Sequence, residues 1–248
     1  MKQTYYWPIY GDHDEVVFTW SPGRSYQHAA EQLSTFTGTL LTDGYSAYDS
    51  ALTKLNEQEA RIVHAACWVH SRRYFEKSLA MEPIAAQEAL TQIAALYKIE
   101  KQIRKRKLSA DEIHKFRQKH SEPRVKAFFA WVYEQRQRAE LLPSNPLSKA
   151  LAYVAEREAK LKVFLANPNV PMDTNHLERT LRVIPMGRKN YLFCWSELGA
   201  EQLGILQSLL VTCRLQGINP YTYLVDVLQR VGMHPASKVD ELERQVSG

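Results

Sequence analysis

Three cysteines in 248 residues, Cys67, Cys194 and Cys213, are odd in number and share no spacing, which argues against a disulfide scaffold. The chain opens without a secretory leader, so reduced thiols and a cytoplasmic setting are expected. No apolar run approaches the ~20 residues that span a bilayer, which excludes a spanning helix and makes a membrane partner unexpected. No internal repeat is visible, which argues against a solenoid. From Trp68 to about Ala166 no strand pattern stands out, so any sheet must be built from the flanking segments. Overall charge is modest too: a net +5 and a pI of about 9.0 are compatible with nucleic acid without demanding it.

What the chain does have is a local concentration of charge. Between Lys101 and Lys126 ten Lys or Arg, among them Arg104, Lys105, Arg106, Lys107, Lys115, Arg117 and Lys119, face only Asp111, Glu112 and Glu122. That segment is +7, and the remainder of the chain is −2. A run of this kind is either a solvated helix face or a phosphate-contacting surface, and its density favours DNA contact. With 45% hydrophobic residues the chain can bury one core carrying an insertion.

Residues 5–10 and 15–20 are rich in aromatic and β-branched side chains around Gly11-Asp12-His13-Asp14, which predicts a β-hairpin. A helix is expected over Gln27–Phe36, stopped by Gly38; a short strand over Thr39–Thr42; a helix over Tyr45–Leu55; and a buried strand over Ala60–Cys67. Helical periodicity recurs in Ile84–Ile103, Val125–Arg138 and Leu147–Phe164. Asn167 to Pro171 reads as an extended linker, because each proline disfavours helix in the residue before it. Asp173-Thr174-Asn175 offers caps for a helix with Leu177, Leu181 and Ile184 on one face, ended by Pro185 and Gly187. Two further helices are expected, Ser196–Leu215 with Gly217 as its C′ residue, and one from Asn219-Pro220 to Val231. Strands alternating with helices predict an α/β fold.

Two acids stand out. Asp43 lies where an apolar strand ends, the edge at which open α/β sheets place ligands, and Gly44 lets the backbone turn away from it; the competing reading is an ordinary Asp-Gly turn. Glu178 falls early in its helix, where an Asn175-x-x-Glu178 capping box or an i,i+4 pair with Arg182 competes with a metal-binding role. Carboxylates remote in sequence and joined by a fold are what divalent-metal phosphoryl transfer requires. Arg179, Arg182, Arg188 and Lys189 beside Glu178, with Tyr191 in an Asn190 to Phe193 loop, suit phosphate contact and base stacking, or a solvated face. His64, Cys67 and His70 recur every three residues; zinc would need a fourth ligand that the spacing does not supply, so a packing or phosphate-orienting role is preferred for this set, Cys67 and His70 included.

The stretches LLTDGYSAYD at Leu40–Asp49, CWVHSRRYFEKSL at Cys67–Leu79, DTNHLERTLRVIPMGRKNYLFCWSELGAEQ at Asp173–Gln202 and SLLVTCRLQGINPYTYLVDVL at Ser208–Leu228 resemble the transposases of the IS66 insertion-sequence family. Those are bacterial DDE enzymes with an RNase H-like core. The resemblance implies an α/β fold with an RNase H-like mixed sheet lacking its first strand, interrupted by a large helical insertion and followed by a helical C-terminal extension. The implied division is 1–80 for a partial core, 81–166 for the insertion, 167–200 for the glutamate helix and basic loop, and 201–248 for the extension.

The resemblance assigns catalysis and metal binding to Asp43 and Glu178, with two Mg2+ or Mn2+ ions as cofactors, and it likens Cys67-x-x-His70 to a Cys/His signature found between these acids. It implies DNA, both element ends and target, as partner, self-association or association with other transposase subunits, and a nucleoid-associated location in a bacterial cytoplasm. The family takes its first Asp from a strand before the hairpin. Asp12 and Asp14 are expected in the hairpin turn, so the chain reads as a truncated copy with an incomplete metal site and impaired strand transfer. The competing expectation is a non-catalytic remnant that binds DNA or other subunits.

Overall fold

The computed structural model describes residues 5–58, 61–191, 194 and 196–238. The chain runs through β1 (Tyr5–Tyr10), β2 (Val16–Ser21), α1 (Tyr26–Gln32), β3 (Gly38–Thr42), α2 (Ser46–Gln58), β4 (Ile62–Ala66) and α3 (Trp68–Ser78). There follow α4 (Pro83–Arg106), α5 (Ala110–His120), α6 (Glu122–Gln135), α7 (Pro146–Glu156), α8 (Glu158–Ala166), α9 (Asn175–Leu181), α10 (Val183–Tyr191), α11 (Glu197–Leu215), α12 (Pro220–Val231) and a 3-10 turn at Ala236–Lys238. The fold is mixed α/β with small sheets. Two compact units divide it: Ser25–Asn175, and the residues up to Arg24 together with those from His176 onward.

In the Ser25–Asn175 unit, β3 and β4 pair in parallel with Thr42 opposite Ala66, joined by α2 as crossover. Leu33 and Leu52 pack with Ile62 of β4, with Phe36, and Leu40 of β3, against them. The larger core gathers Trp68, Phe75, Phe128, Phe129, Leu151, Leu161 and Phe164 from α3, α6, α7 and α8. Trp68 is fully buried, edge-on to Phe128 and Phe164, and its indole N–H donates to the Leu161 carbonyl at 2.9 Å. Burying an aromatic of this size contributes about 4–6 kcal/mol of transfer free energy, as an upper bound.

In the other unit the antiparallel hairpin pairs Tyr5 with Ser21 through to Tyr10 with Val16, and Asp12 and Asp14 occupy its exposed turn. Val16 and Phe18 pack against Val211 of α11, with Leu177, Leu181, Val183 and Ile184 of α9 and α10 alongside. Gly204 makes the close approach of α11 possible, because a Cβ there would stand 2.5 Å from the Phe18 carbonyl oxygen. Ser208 and Thr212 hydroxyls accept from the Phe18 and Val16 N–H groups, satisfying strand donors that face a helix and not another strand.

Several boundaries differ from the sequence expectation, each for a local reason. Helix α1 ends at Gln32, because Leu33 has left helical geometry, and Gly38, at φ 116°, opens β3 and does not stop a helix. The helix expected over Leu147–Phe164 is two, broken at Arg157 (φ −110°, ψ 11°). Helix α5 was not anticipated inside the basic run, although Ser109 and Glu112 form a reciprocal capping box at its start. Pro185 and Gly187 lie within α10: Pro185 is its third residue, where no intrahelical N–H partner exists to be lost. Gly217 and the Asn219-Pro220 cap fall where expected.

Candidate active site

Asp43 follows the last residue of β3 and is exposed at the carboxyl edge of the parallel pair. Its Oδ1 accepts the Tyr45 N–H at 3.0 Å, an Asx turn that fixes the carboxylate as the chain leaves the sheet. Gly44 adopts φ 85°, and a Cβ there would lie 2.3 Å from Tyr153 Oη, so both conformation and space demand glycine. Tyr153 stacks on Tyr74, ring centroids 4.1 Å apart at 19°. Burial, then the Asp43 charge, pushes the Tyr48 phenol up to about 12.

Beneath Asp43 runs a polar network. Thr42 Oγ1 and His64 Nε2 are 2.8 Å apart, and His64 Nδ1 is 3.4 Å from Asp49 Oδ1. Asp49 also pairs with Lys160 and, at 3.7 Å, with Arg157 Nη2. Burial, reinforced by the Lys160 charge, depresses His64 to about 4, so its ring is neutral at physiological pH. With Glu156 3.4 Å from Arg157 Nη1, the carboxylates Asp43, Asp49 and Glu156 outnumber the cations Arg157 and Lys160 by one.

Cys67 is a junction. Its N–H donates to the Thr42 carbonyl at 3.1 Å, one residue before Asp43, while its Sγ accepts from Thr174 N–H at 3.4 Å and Thr174 Oγ1 at 3.5 Å. Burial raises the thiol, keeping it protonated. His70, by contrast, is half-buried, and its Nε2 accepts from Arg73 at 3.0 Å. The His70 ring thus faces Arg73, while the Cys67 thiol faces Thr174 and the backbone N–H groups of Val69 and His70. Among the described residues no three His, Cys, Asp or Glu side chains form a group able to hold a metal ion.

Helix α9 starts with the Asn175 N–H donated to Asp173 Oδ1 at 3.0 Å. Glu178 is half-buried on it, and Arg179 and Arg182 are exposed. Asp43 belongs to the Ser25–Asn175 unit and Glu178 to the other. Arg188, Lys189 and Tyr191 lie on the backbone of α10, but their side chains are outside the described residues, as are Leu192 and Phe193 of the expected loop. Arg104, Lys105 and Arg106 form the exposed last turn of α4, and Lys107 is its left-handed cap. Lys115 and Lys119 are exposed on α5, whereas Arg117, counted in the basic run, is buried in an ion pair with Glu100 at 2.8 Å.

The sequence profile described as Transposase IS66 family matches residues 1–202, and that of the IS66 C-terminal element matches residues 208–242. The chain belongs to the IS66 transposase family. It is 30% identical over 232 residues to the uncharacterized protein y4jD of Sinorhizobium fredii, covering 92% of this chain and 44% of that protein. It is also 29% identical over 240 residues to y4hP of the same organism, covering 92% and 43%. This IS66 chain thus spans less than half the length of these relatives. No solved structure matches.

Asp49, Tyr153, Arg157 and Lys160 were not anticipated around the IS66 chain's Asp43. Asp49 closes the LLTDGYSAYD stretch six positions after Asp43, which gave a signal of sorts. Arg157 and Lys160 reach the site through tertiary packing of α8 on β4, which no local pattern encodes.

Proposed function

We infer that this chain carries catalytic residues of an IS66 transposase that cuts DNA phosphodiesters and transfers strands with divalent metal ions, on an RNase H-like core with a helical insertion over 81–166. The observation that carries the reading is Asp43, an exposed carboxylate at the carboxyl edge of a parallel strand pair, locked by the Tyr45 N–H and cleared by Gly44. A hard oxygen donor in that position suits Mg2+ or Mn2+. Glu178, half-buried on α9, is the second carboxylate of the reading. When bound, the ions supply activation of water and then of a DNA 3′-hydroxyl for in-line attack.

The chain's own residues orient and bind. The Asx turn at Asp43 holds its carboxylate outward, and the neutral His64 and Asp49 beneath it keep the end of β3 in place. Arg179, Arg182 and the Arg104 to Lys107 turn offer cations for phosphates. Asp43 and Glu178 are the two carboxylates this reading assigns, and Asp12 and Asp14, in the exposed hairpin turn, are not among them. DNA and further transposase copies are the partners of this reading.

The test is incubation of element-end DNA with the protein and Mg2+ or Mn2+. Metal-dependent nicks are expected, lost in Asp43→Asn and in Glu178→Gln while DNA binding persists. Binding without any metal-dependent product would remove the enzymatic reading and leave a non-catalytic DNA-binding or subunit-interaction remnant.

A further inference from the structure

Arg157 stands at the break between α7 and α8. Its guanidinium carbon lies 4.1 Å over the Tyr153 ring, and that ring stacks on Tyr74, so the cation rests on a two-ring platform. The Gly44 turn closes on the same platform: a Cβ on Gly44 would be 3.7 Å from Arg157 Nε. The residue next to Asp43 therefore abuts a guanidinium delivered by the helical segment after α3.

The polar contacts of that guanidinium are long. Nη1 reaches the Tyr153 carbonyl and Glu156 Oε2 at 3.4 Å each, and Nη2 is 3.7 Å from Asp49, a carboxylate also engaged by Lys160 and His64. Arg117 shows what a fully used arginine looks like in this protein: two bonds of 2.9 and 2.8 Å to Glu100. Arg157 has a planar fork held in orientation, and its side chain is 16% exposed, desolvated enough to strengthen an ionic contact yet reachable. With His64 neutral, Asp43, Asp49 and Glu156 exceed Arg157 and Lys160 by one negative charge, fewer than the two positive charges of a divalent ion. A divalent cation on Asp43 would therefore leave a local surplus of positive charge, which suits an anion.

We propose that Arg157 binds a phosphate of the DNA strand that is cut at Asp43. The inference rests on the reading of Asp43 as the reacting end of the site, and it gives the helical segment a role at the chemistry in addition to any contact made by its basic helices. The side chain acts as a fork on one phosphodiester, positioning the strand and leaving the bond-breaking to the groups at Asp43.

The experiment titrates the full chain with a fluorescent duplex bearing a recessed 3′ end, across a salt series, for the native protein, Arg157→Gln and Arg157→Lys. Loss of one phosphate contact flattens the slope of log K against log salt by about 0.9 in Arg157→Gln. Arg157→Lys should keep the slope but lower metal-dependent cleavage, because an ammonium does not reproduce the fork. A native slope in Arg157→Gln would overturn the proposal. Should that variant not fold, phenylglyoxal modification of the native chain mapped by mass spectrometry replaces it: DNA is expected to protect Arg157, and labelling unchanged by DNA would overturn the proposal. Failure of the catalytic reading is distinguishable, since it would show as no metal-dependent product while the slope and protection effects remain.

Discussion

Replacing Arg117 with methionine should destabilise the Ser25–Asn175 unit by roughly 4 kcal/mol. The Nε and Nη2 of Arg117 donate to the two oxygens of Glu100 at 2.9 and 2.8 Å, and Nη1 faces the carbonyls of Phe164, Asn167, Pro168 and Val170 at 2.8, 3.1, 3.3 and 3.2 Å. The two side chains are 4% and 9% exposed, so this one cation ties α4 and α5 to the end of α8 and the linker beyond it. Methionine preserves the aliphatic stem but leaves the Glu100 carboxylate buried without its partner, a loss of about 3–5 kcal/mol. The undonated carbonyls push the expectation toward the upper part of that range. Urea unfolding followed by tryptophan fluorescence reports on this core, because Trp68 and Trp131 both lie in it. With a slope of about 2–3 kcal/mol per molar urea, the midpoint should fall by roughly 1.3–2 M. The double variant Arg117→Met, Glu100→Leu removes the stranded charge and should regain more than half of the loss. A single-variant loss below about 1 kcal/mol, or a double variant no more stable than the single, would refute the assignment of Arg117 as the clamp.

Three further outcomes are expected. His64 takes a proton near 6.5 when unfolded and only near 4 when folded, so the stability it confers is complete above the first value and declines by up to about 3 kcal/mol as pH falls toward the second. His64→Gln should flatten that part of a pH–stability curve, and an unchanged curve would move the effect to the carboxylates. Gly44→Ala combines a φ of 85° with a clash at Tyr153 Oη and should destabilise by about 1–3 kcal/mol, while Gly44→Ala with Tyr153→Phe should be less than additive in thermal unfolding. Lys115→Glu with Lys119→Glu should flatten the salt dependence of DNA binding by about 1.8 or more with little change in unfolding midpoint, and a native slope would remove α5 from the DNA interface.

How far the sequence could be read depended on where the controlling interactions lie. The hairpin around Gly11 to Asp14, the two strands flanking α2, and the Asn219-Pro220 cap were legible because alternation, apolar runs and caps are local. Asp43 was placed at the end of β3 for the same reason. The break at Arg157 was not legible, since apolar periodicity continues across it from Leu151 and Val154 to Leu161 and Phe164, while beyond it α8 packs against β4, a contact between segments remote in sequence. Arg117 was read as one more surface cation because charge counting carries no information about burial. Its role depends on Glu100, 17 residues away, and on carbonyls about 50 residues away. The end assigned to α9 by Pro185 and Gly187 was misjudged because a proline early in a helix loses no hydrogen bond, so the breaker rule applied at α10 in the one place where it has no force.

Cys67 shows why a spacing motif and its physics can separate. Its spacing to His70 invites a metal reading, yet the thiol is buried and protonated and accepts from two Thr174 donors, while the backbone N–H of the same residue holds the Thr42 carbonyl. One side chain and one amide thus fix both the residue before Asp43 and Thr174, far apart in sequence but within the Ser25–Asn175 unit. Sulfur fits because its contacts are 3.4 and 3.5 Å; a serine oxygen at the same position would be too short to reach both donors at its usual 2.7–3.0 Å. Cys67→Ala should therefore remove both Sγ contacts to Thr174 and destabilise by about 1–3 kcal/mol, with Cys67→Ser intermediate. In buffer without added Mg2+ or Mn2+, EDTA should leave the native unfolding midpoint unchanged, and the Cys67 thiol should react with a disulfide reagent only as the protein unfolds. A midpoint that drops on chelation would return Cys67 to metal binding, and a loss under about 0.5 kcal/mol in Cys67→Ala would show that the junction is held by its backbone alone.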